Sequence, residues 1–310
     1  MACCWVSRRL LLTLSCLGLP GLAVALTAAP PTNTYAQELL EELRGAHPEL
    51  LGASISAAAP KAASGGAPAA VIVASTDRTS IGAPADPADL AAAVKGTTSS
   101  DSSGAARIEV RLPLRDVSGD TVGALHLSYP RAPGAQIAGL EQSAERIRDH
   151  LQRRISHLGN LFDPFPYEPD APAHIQAQQL VEEFLDEYPQ IEILAIHVTP
   201  PDSDYNIIAG SNIGRIGKKA DNDDMRCVFT GKPNLEINST GKRFESEMQL
   251  HDRSGKVIGA LGVVVAYKRG DDKEALHARA ERIRAEMERK IPDSPSLFQP
   301  ATPQDSRRKS

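Results

Sequence analysis

The 310-residue sequence predicts an α+β chain built from two tandem copies of one unit, an antiparallel sheet flanked by an N-terminal and a C-terminal helix. Three observations carry this. Short motifs return in the same order in both halves of the chain. Segments of helical period open and close each half, and runs of strand character lie between them.

The recurrence begins with Ala36-Gln37-Glu38-Leu39-Leu40-Glu41-Glu42, which returns as Ala177-Gln178-Gln179-Leu180-Val181-Glu182-Glu183. Asp86 and Asp89-Leu90 match Asp221 and Asp224-Met225, and Gly96 matches Gly231. Leu114-Arg115-Asp116-Val117-Ser118-Gly119 pairs with Leu250-His251-Asp252-Arg253-Ser254-Gly255. Ala144-Glu145-Arg146-Ile147-Arg148 returns unchanged as Ala280-Glu281-Arg282-Ile283-Arg284. The order is kept while the offsets drift by a few residues, which places the insertions in loops.

In the second copy, Leu180, Val181, Phe184, Leu185 and Tyr188 fall at helical spacing and Pro189 stops the helix. Strands follow at 193–199 and near 205–210. A short helix over 221–230 has acidic residues at its start and Gly231 after its end. A third strand is placed near 234–239. Residues 244–251 alternate, with Phe244, Met248 and Leu250 on one face and Glu245, Glu247, Gln249 and His251 on the other. Asp252-Arg253-Ser254-Gly255 is a hairpin turn. Residues 256–267 form the most apolar strand, in which Gly259 and Gly262, with Gly123 in the first copy, mark close approach of another element. The closing helix carries Leu276, Ala280, Ile283, Met287 and Ile291 on one stripe, as Leu140, Ala144, Ile147, Leu151 and Ile155 do in the first copy.

This organisation gives a first copy over 30–157, a proline-rich linker over 158–172, a second copy over 173–292 and a disordered Pro/Ser-rich tail over 293–310. The Ala/Gly/Ser-rich stretches 57–70 and 97–105 read as loops. Residues 1–25 read as a secretory signal: Arg8 and Arg9, the apolar run Leu10–Leu19, a Pro20-Gly21 break and the small-x-small site Ala23-Val24-Ala25. No later run approaches the about 20 apolar residues of a membrane span, so no span is expected after signal cleavage. The expected location is periplasmic or secreted. Loss of the two signal arginines leaves 32 basic against 39 acidic residues, which argues against nucleic acid as a partner. Of four cysteines only Cys227 lies beyond the signal.

The order helix, two strands, short helix, three strands, helix resembles the extracytoplasmic Cache domains, relatives of the PAS fold. Met248 to Val263 is similar to the strand, Asp-x-x-Gly turn and glycine-containing strand that end such domains. Ser211 to Gly217 is similar to the loop after their second strand. The resemblance covers both copies and implies small-molecule binding between the sheet and the elements over one face. Cache domains usually belong to membrane receptors with an output domain, whereas no span or output module follows Ile291 here.

The copies differ in ways that bear on function. His197 aligns with Ser56, Arg226 with Ala91, and Lys218-Lys219 with Ala83-Pro84. Between 215 and 232 the second copy has the cations Arg215, Lys218, Lys219, Arg226 and Lys232 against three aspartates. A cationic rim beside a helix start suits a carboxylate or phosphate, although the same charges also suit a solvated loop. His197, Arg215, Lys218, Lys219, Arg226 and Glu247 are therefore the candidate ligand-binding residues. No catalytic residue, metal or cofactor is expected: Gly-x-Ser-x-Gly, His-Glu-x-x-His, Cys-x-x-Cys and P-loop patterns are absent from the sequence. The leading expectation is an exported, sensor-like protein that binds a small anionic ligand in the second copy and is not an enzyme. The alternative is an envelope protein-interaction or structural adaptor with no small ligand, and a hydrolase stands third.

Overall fold

The computed structural model describes residues 33–59, 70–104, 106–134 and 136–301. The expected signal, residues 60–69 of the Ala/Gly/Ser-rich stretch and the chain after 301 lie outside them. The first copy runs β1 (Asn33–Thr34), α1 (Tyr35–Ala46), β2 (Gly52–Ala58), β3 (Ala70–Ser75), α2 (Pro87–Lys95), β4 (Ser99–Asp101), β5 (Arg107–Arg115), β6 (Thr121–Pro130) and α3 (Ile137–Gln152). A two-residue strand β7 (Pro164–Phe165) follows. The second copy runs α4 (Gln176–Glu187), β8 (Ile191–Val198), β9 (Ile207–Ser211), α5 (Asn222–Thr230), β10 (Asn234–Ile237), β11 (Arg243–His251), β12 (Val257–Ala266) and α6 (Lys273–Lys290).

The two five-stranded antiparallel sheets have the orders β3-β2-β6-β5-β4 and β9-β8-β12-β11-β10. Counted within each copy this is one order, 2-1-5-4-3, so the repeat read from motifs is a repeat of topology. Local chemistry is repeated too. Asp86 caps α2 and Asp221 caps α5, and the helices end at Gly96 and Gly231 in the left-handed conformation. The Asp116 carboxylate accepts from the Ser118 and Asp120 amides, as Asp252 accepts from those of Ser254 and Lys256. Each of these turns is also tied to the end of the closing helix: Val117 N–H donates to Ile155 O (2.9 Å) and Arg253 N–H to Ile291 O (2.8 Å).

The long helices cover the apolar face of each sheet. Leu39, Leu40, Ile147 and Leu151 pack on Ile55, Val110, Leu112 and Leu127 in the first core. Val181, Phe184, Ile283 and Met287 pack on Leu194, Met248, Leu250 and Leu261 in the second. Alternation then directs Glu245, Glu247 and Gln249 to the opposite face, under α5. His251 leaves that row. The ladder slips between Leu250 and His251, and the imidazole turns to Glu288 of α6 at 2.8 Å.

Three boundaries differ from expectation. The 97–105 stretch holds the edge strand β4, recruited by pairing with β5. Each copy is also longer than its motifs indicate. After α3 a 3₁₀ turn over Leu158–Phe162 buries Leu161, and β7 then pairs with β1 at the start of the copy. After α6 the turn Pro295–Phe298 buries Leu297, and Pro300 bridges to Ile175 before α4. Leu161-Phe162-Asp163-Pro164 and Leu297-Phe298-Gln299-Pro300 are thus one motif in two copies, lying in the segments assigned to linker and tail.

Buried polar groups join the copies. The Tyr35 hydroxyl lies 3.0 Å from Arg154 O and 3.1 Å from Asn212 O. Asn212 Nδ2 donates to Arg153 O (2.7 Å) and Glu192 O (2.9 Å), and its Oδ1 accepts from Leu194 N–H (2.9 Å). Beside this seam the half-buried Glu192 carboxyl has one oxygen without a hydrogen bond. Burial pushes its pKa up to about 7 against the pull of Arg243, and Asp116 adds to the rise.

A folded-state pKa above the unfolded value means that Glu192 favours folding below the usual carboxylate range and loses that contribution as pH rises through about 7. Glu192→Gln should therefore melt higher than wild type at pH 8, with the gap closing below about pH 4.5, read by thermal melts across that range. A second expectation concerns the glycines of the central strands. A Cβ at Gly259 would overlap the His197 carbonyl oxygen, and one at Gly123 the Ser56 carbonyl oxygen. At Gly262 it would meet only ordinary contacts from 3.4 Å outward. Gly259→Ala should lower stability by about 1–3 kcal/mol and Gly262→Ala by much less, measured as denaturant midpoints.

Candidate functional site

The six residues singled out from sequence separate into two groups. Arg215, at a positive φ of 63°, turns toward the seam, where its Nε bonds Asp163 (3.2 Å) and its NH2 meets His157 Nε2 (3.1 Å). Lys218 is half-buried in the same loop. Lys219 is exposed, its Nζ 4.3 Å from the centre of the Tyr205 ring. Arg226 is exposed on α5, paired with Asp223 at 2.8 Å and bonded to Asn234 at 3.0 Å. Arg215, Lys219 and Arg226 thus engage different partners. The structure does bring together His197 of β8 and Glu247 of β11, both buried under the first turn of α5.

The residue that joins them is Asp224. It is the third residue of α5, and the capping box fixes it: its Oδ2 accepts the Asp221 amide at 2.8 Å, while Asp221 Oδ1 accepts the amides of Asp223 and Asp224. The same Oδ2 lies 3.3 Å from His197 Nδ1. That nitrogen is buried and makes no hydrogen bond. One donor atom from each of His197, Asp224 and Glu247 falls within 4.8 Å of the others. Burial, the hydrogen bond to Asp224 and its charge push the Glu247 carboxyl far above the usual carboxylate range. Burial works against the Asp224 charge too, but the His197 ring and the Glu247 carboxyl hold its pKa below that range. Glu245 is raised as well, chiefly by burial. Among the described residues no lysine or arginine is ion-paired with any of the three carboxylates. Cys227 lies behind Glu247, its thiol donating to the Glu247 carbonyl (3.4 Å) and pushed up to about 11, first by burial, so it is not a reactive thiolate.

The same place in the first copy is chemically closed. Register aligns Ser56 with His197 and Arg111 with Glu247: Ser56 and His197 face Ala124 and Ala260, and Arg111 and Glu247 face His126 and Gly262. Asp89 is the third residue of α2, as Asp224 is of α5. Arg111 Nε bonds Asp89 Oδ1 at 3.1 Å, Ser56 Oγ donates to Asp89 Oδ2 at 3.1 Å, and His126 Nε2 sits 2.7 Å from Glu109. The second copy keeps the two acids as Asp224 and Glu245. It replaces the arginine by a third acid, the histidine by Gly262 and the serine by His197.

Asp224 and the Arg111-to-Glu247 exchange were legible in the aligned copies. The aspartate recurs at one offset from its cap, and the exchange reverses a charge. Counting cations gained by the second copy directs attention to the loop and away from the cation lost on the strand. A recess of about 450 Å³ lies elsewhere, between α1 and α3, lined by Leu39, Glu42, Leu43, Arg146, Ile147 and Arg154, and it contains none of the six residues.

No protein-family model matches the chain, and no curated protein does. Among solved structures it is similar to PelD from Pseudomonas aeruginosa PAO1, at 15% identity and a TM-score of 0.26, over 81% of this chain and 75% of that one. Two such loosely superposed chains share too little geometry to inform either fold or function.

If Arg111 compensates Asp89 as the geometry indicates, Arg111→Ala leaves a buried carboxylate without its partner and should cost about 3 kcal/mol. Glu247→Gln in the second copy removes a carboxyl from a crowd of them and should leave stability unchanged or raised. Denaturant titrations in buffer free of divalent ions compare the two.

Proposed function

We propose that the chain is an exported, sensor-like binding protein of two Cache/PAS-like units, with the first as scaffold and the second as the binding unit. The element order helix, two strands, helix, three strands, helix in both copies supports the unit type. The N-terminal charge and apolar pattern supports export. One observation carries the division of labour. The polar face under the short helix is neutralised from within in the first copy and is left with three acids and an unengaged imidazole nitrogen in the second. A buried cluster of like charge favours an occupant that supplies the missing charge. The site therefore selects a small cationic group. An anionic ligand would rely on Lys218, Lys219 and Arg226, of which Lys219 rests on Tyr205 and Arg226 is already paired with Asp223.

A thermal-shift panel on the full chain tests this with inorganic cations, primary and quaternary amines and, for contrast, mono- and dicarboxylates. At least one cation should raise the melting temperature, and that increment should vanish in Asp224→Asn while surviving in Asp89→Asn. Stabilisation by carboxylates that persists in Asp224→Asn would overturn the site. Stabilisation by nothing in the panel would overturn the binding reading in favour of an adaptor, for which the exposed Phe229 of α5 and Leu235 of the edge strand β10 would be the contact candidates.

A further inference from the structure

Among the features outside the hydrophobic cores, the cluster under α5 goes furthest because the molecule contains its own control. In the first copy two carboxylates, Asp89 and Glu109, are set against the Arg111 guanidinium, with His126 beside them. In the second copy three carboxylates, Asp224, Glu245 and Glu247, have no lysine or arginine ion-paired with them among the described residues, and the imidazole of His197 stands where the first copy has Ser56. Two positive charges would restore the balance of the first copy. A single divalent ion brings both, and it also uses the lone pair of a neutral imidazole, which a proton shared between carboxylates leaves idle.

We propose that His197, Asp224 and Glu247 bind one divalent cation of the first-row, zinc-like class, with Glu245 supplying further negative charge beside them. The donor set discriminates among metals. Magnesium and calcium prefer all-oxygen shells, whereas one imidazole with carboxylates suits zinc, manganese and their neighbours. The geometry discriminates against larger occupants. Donor atoms within 4.8 Å of one another, on two buried residues and the half-buried Asp224, suit an ion better than an organic molecule. Bonds of about 2.0–2.1 Å in a tetrahedral site set ligand atoms about 3.3 Å apart, a contraction within reach of side-chain torsions. Two of the three ligands are placed in advance. The capping box holds Asp224 at the start of α5. His197 is held by its strand, whose carbonyl at that residue occupies the space that Gly259 leaves free. Its Nδ1, 92% buried with its residue and without a hydrogen bond, lies 3.3 Å from the Asp224 carboxylate.

This inference rests on the second copy being the binding unit, and the experiment separates the two. The full chain is stripped with a chelator and titrated with Zn²⁺ against a chromogenic competing chelator, with melting temperature read in parallel and Mg²⁺ as the contrast. Wild type should take up one equivalent of zinc with a rise in melting temperature, and equimolar Mg²⁺ should not displace it. Glu247→Arg rebuilds the first copy's arrangement, so it should fold with a melting temperature at or above that of stripped wild type and bind no zinc at the site. His197→Ala, which keeps the acids, should weaken binding by more than about 100-fold. No stoichiometric uptake by wild type, or equal uptake by both variants, would overturn the proposal. A chain blind to zinc but stabilised by an organic cation through Asp224 would lose this inference and keep the functional reading.

Discussion

A carboxylate largely shielded from water at the third position of a nine-residue helix has to be neutralised by something, and much of the polar side of each sheet is arranged around that requirement. Asp89 and Asp224 arise from the same local logic: an aspartate cap and, in α5, an acid three residues later that closes a reciprocal box. The cap places the acid over the sheet, and the short helix shields it from water. The strand beneath must then answer with charge. In the first copy β5 answers with Arg111. In the second, β11 offers Glu247, and the compensation must come from a proton or from a bound cation.

The apolar side diverges less, although the buried Ser246 stands where the first copy has Val110. The long helices α1 and α3, like α4 and α6, pack on alternate residues of the central strands, and the closing-helix stripes are conserved position by position within the chain. This is why the two sheets keep one strand order while their opposite faces differ. Volume and pattern specify the fold, and the polar face is free to change as long as its charges balance.

How much could be read from sequence follows the same division. The order of elements, the helix stripes, the Asp-x-x-Gly turns and the α5 cap were legible, because each depends on residues close in sequence or on a period. His197 was legible as a departure from the first copy and Glu247 as a member of a strand face. Asp224 as their partner was not, since the contact spans three elements and only the register of β8 against β12 and β11 reveals it. The cationic loop misdirected for a related reason. Arg215 looks available in a charge count, but its backbone at φ 63° aims it at Asp163 of the seam. The ends of the copies were misplaced because Leu-Phe-x-Pro is short and its context reads as linker. Only the burial of Leu161 and Leu297 shows it to be part of each core.

That terminal motif returns each copy to its own beginning, through Asn33 beside Phe165 in the first and Ile175 beside Pro300 in the second. A unit whose entrance and exit share one spot is, in gene terms, a cassette. It can be copied in tandem without rerouting the chain, or inserted into a host loop without prising the loop apart. The present arrangement is two such closed loops of chain, alike in topology and different in the chemistry of one face.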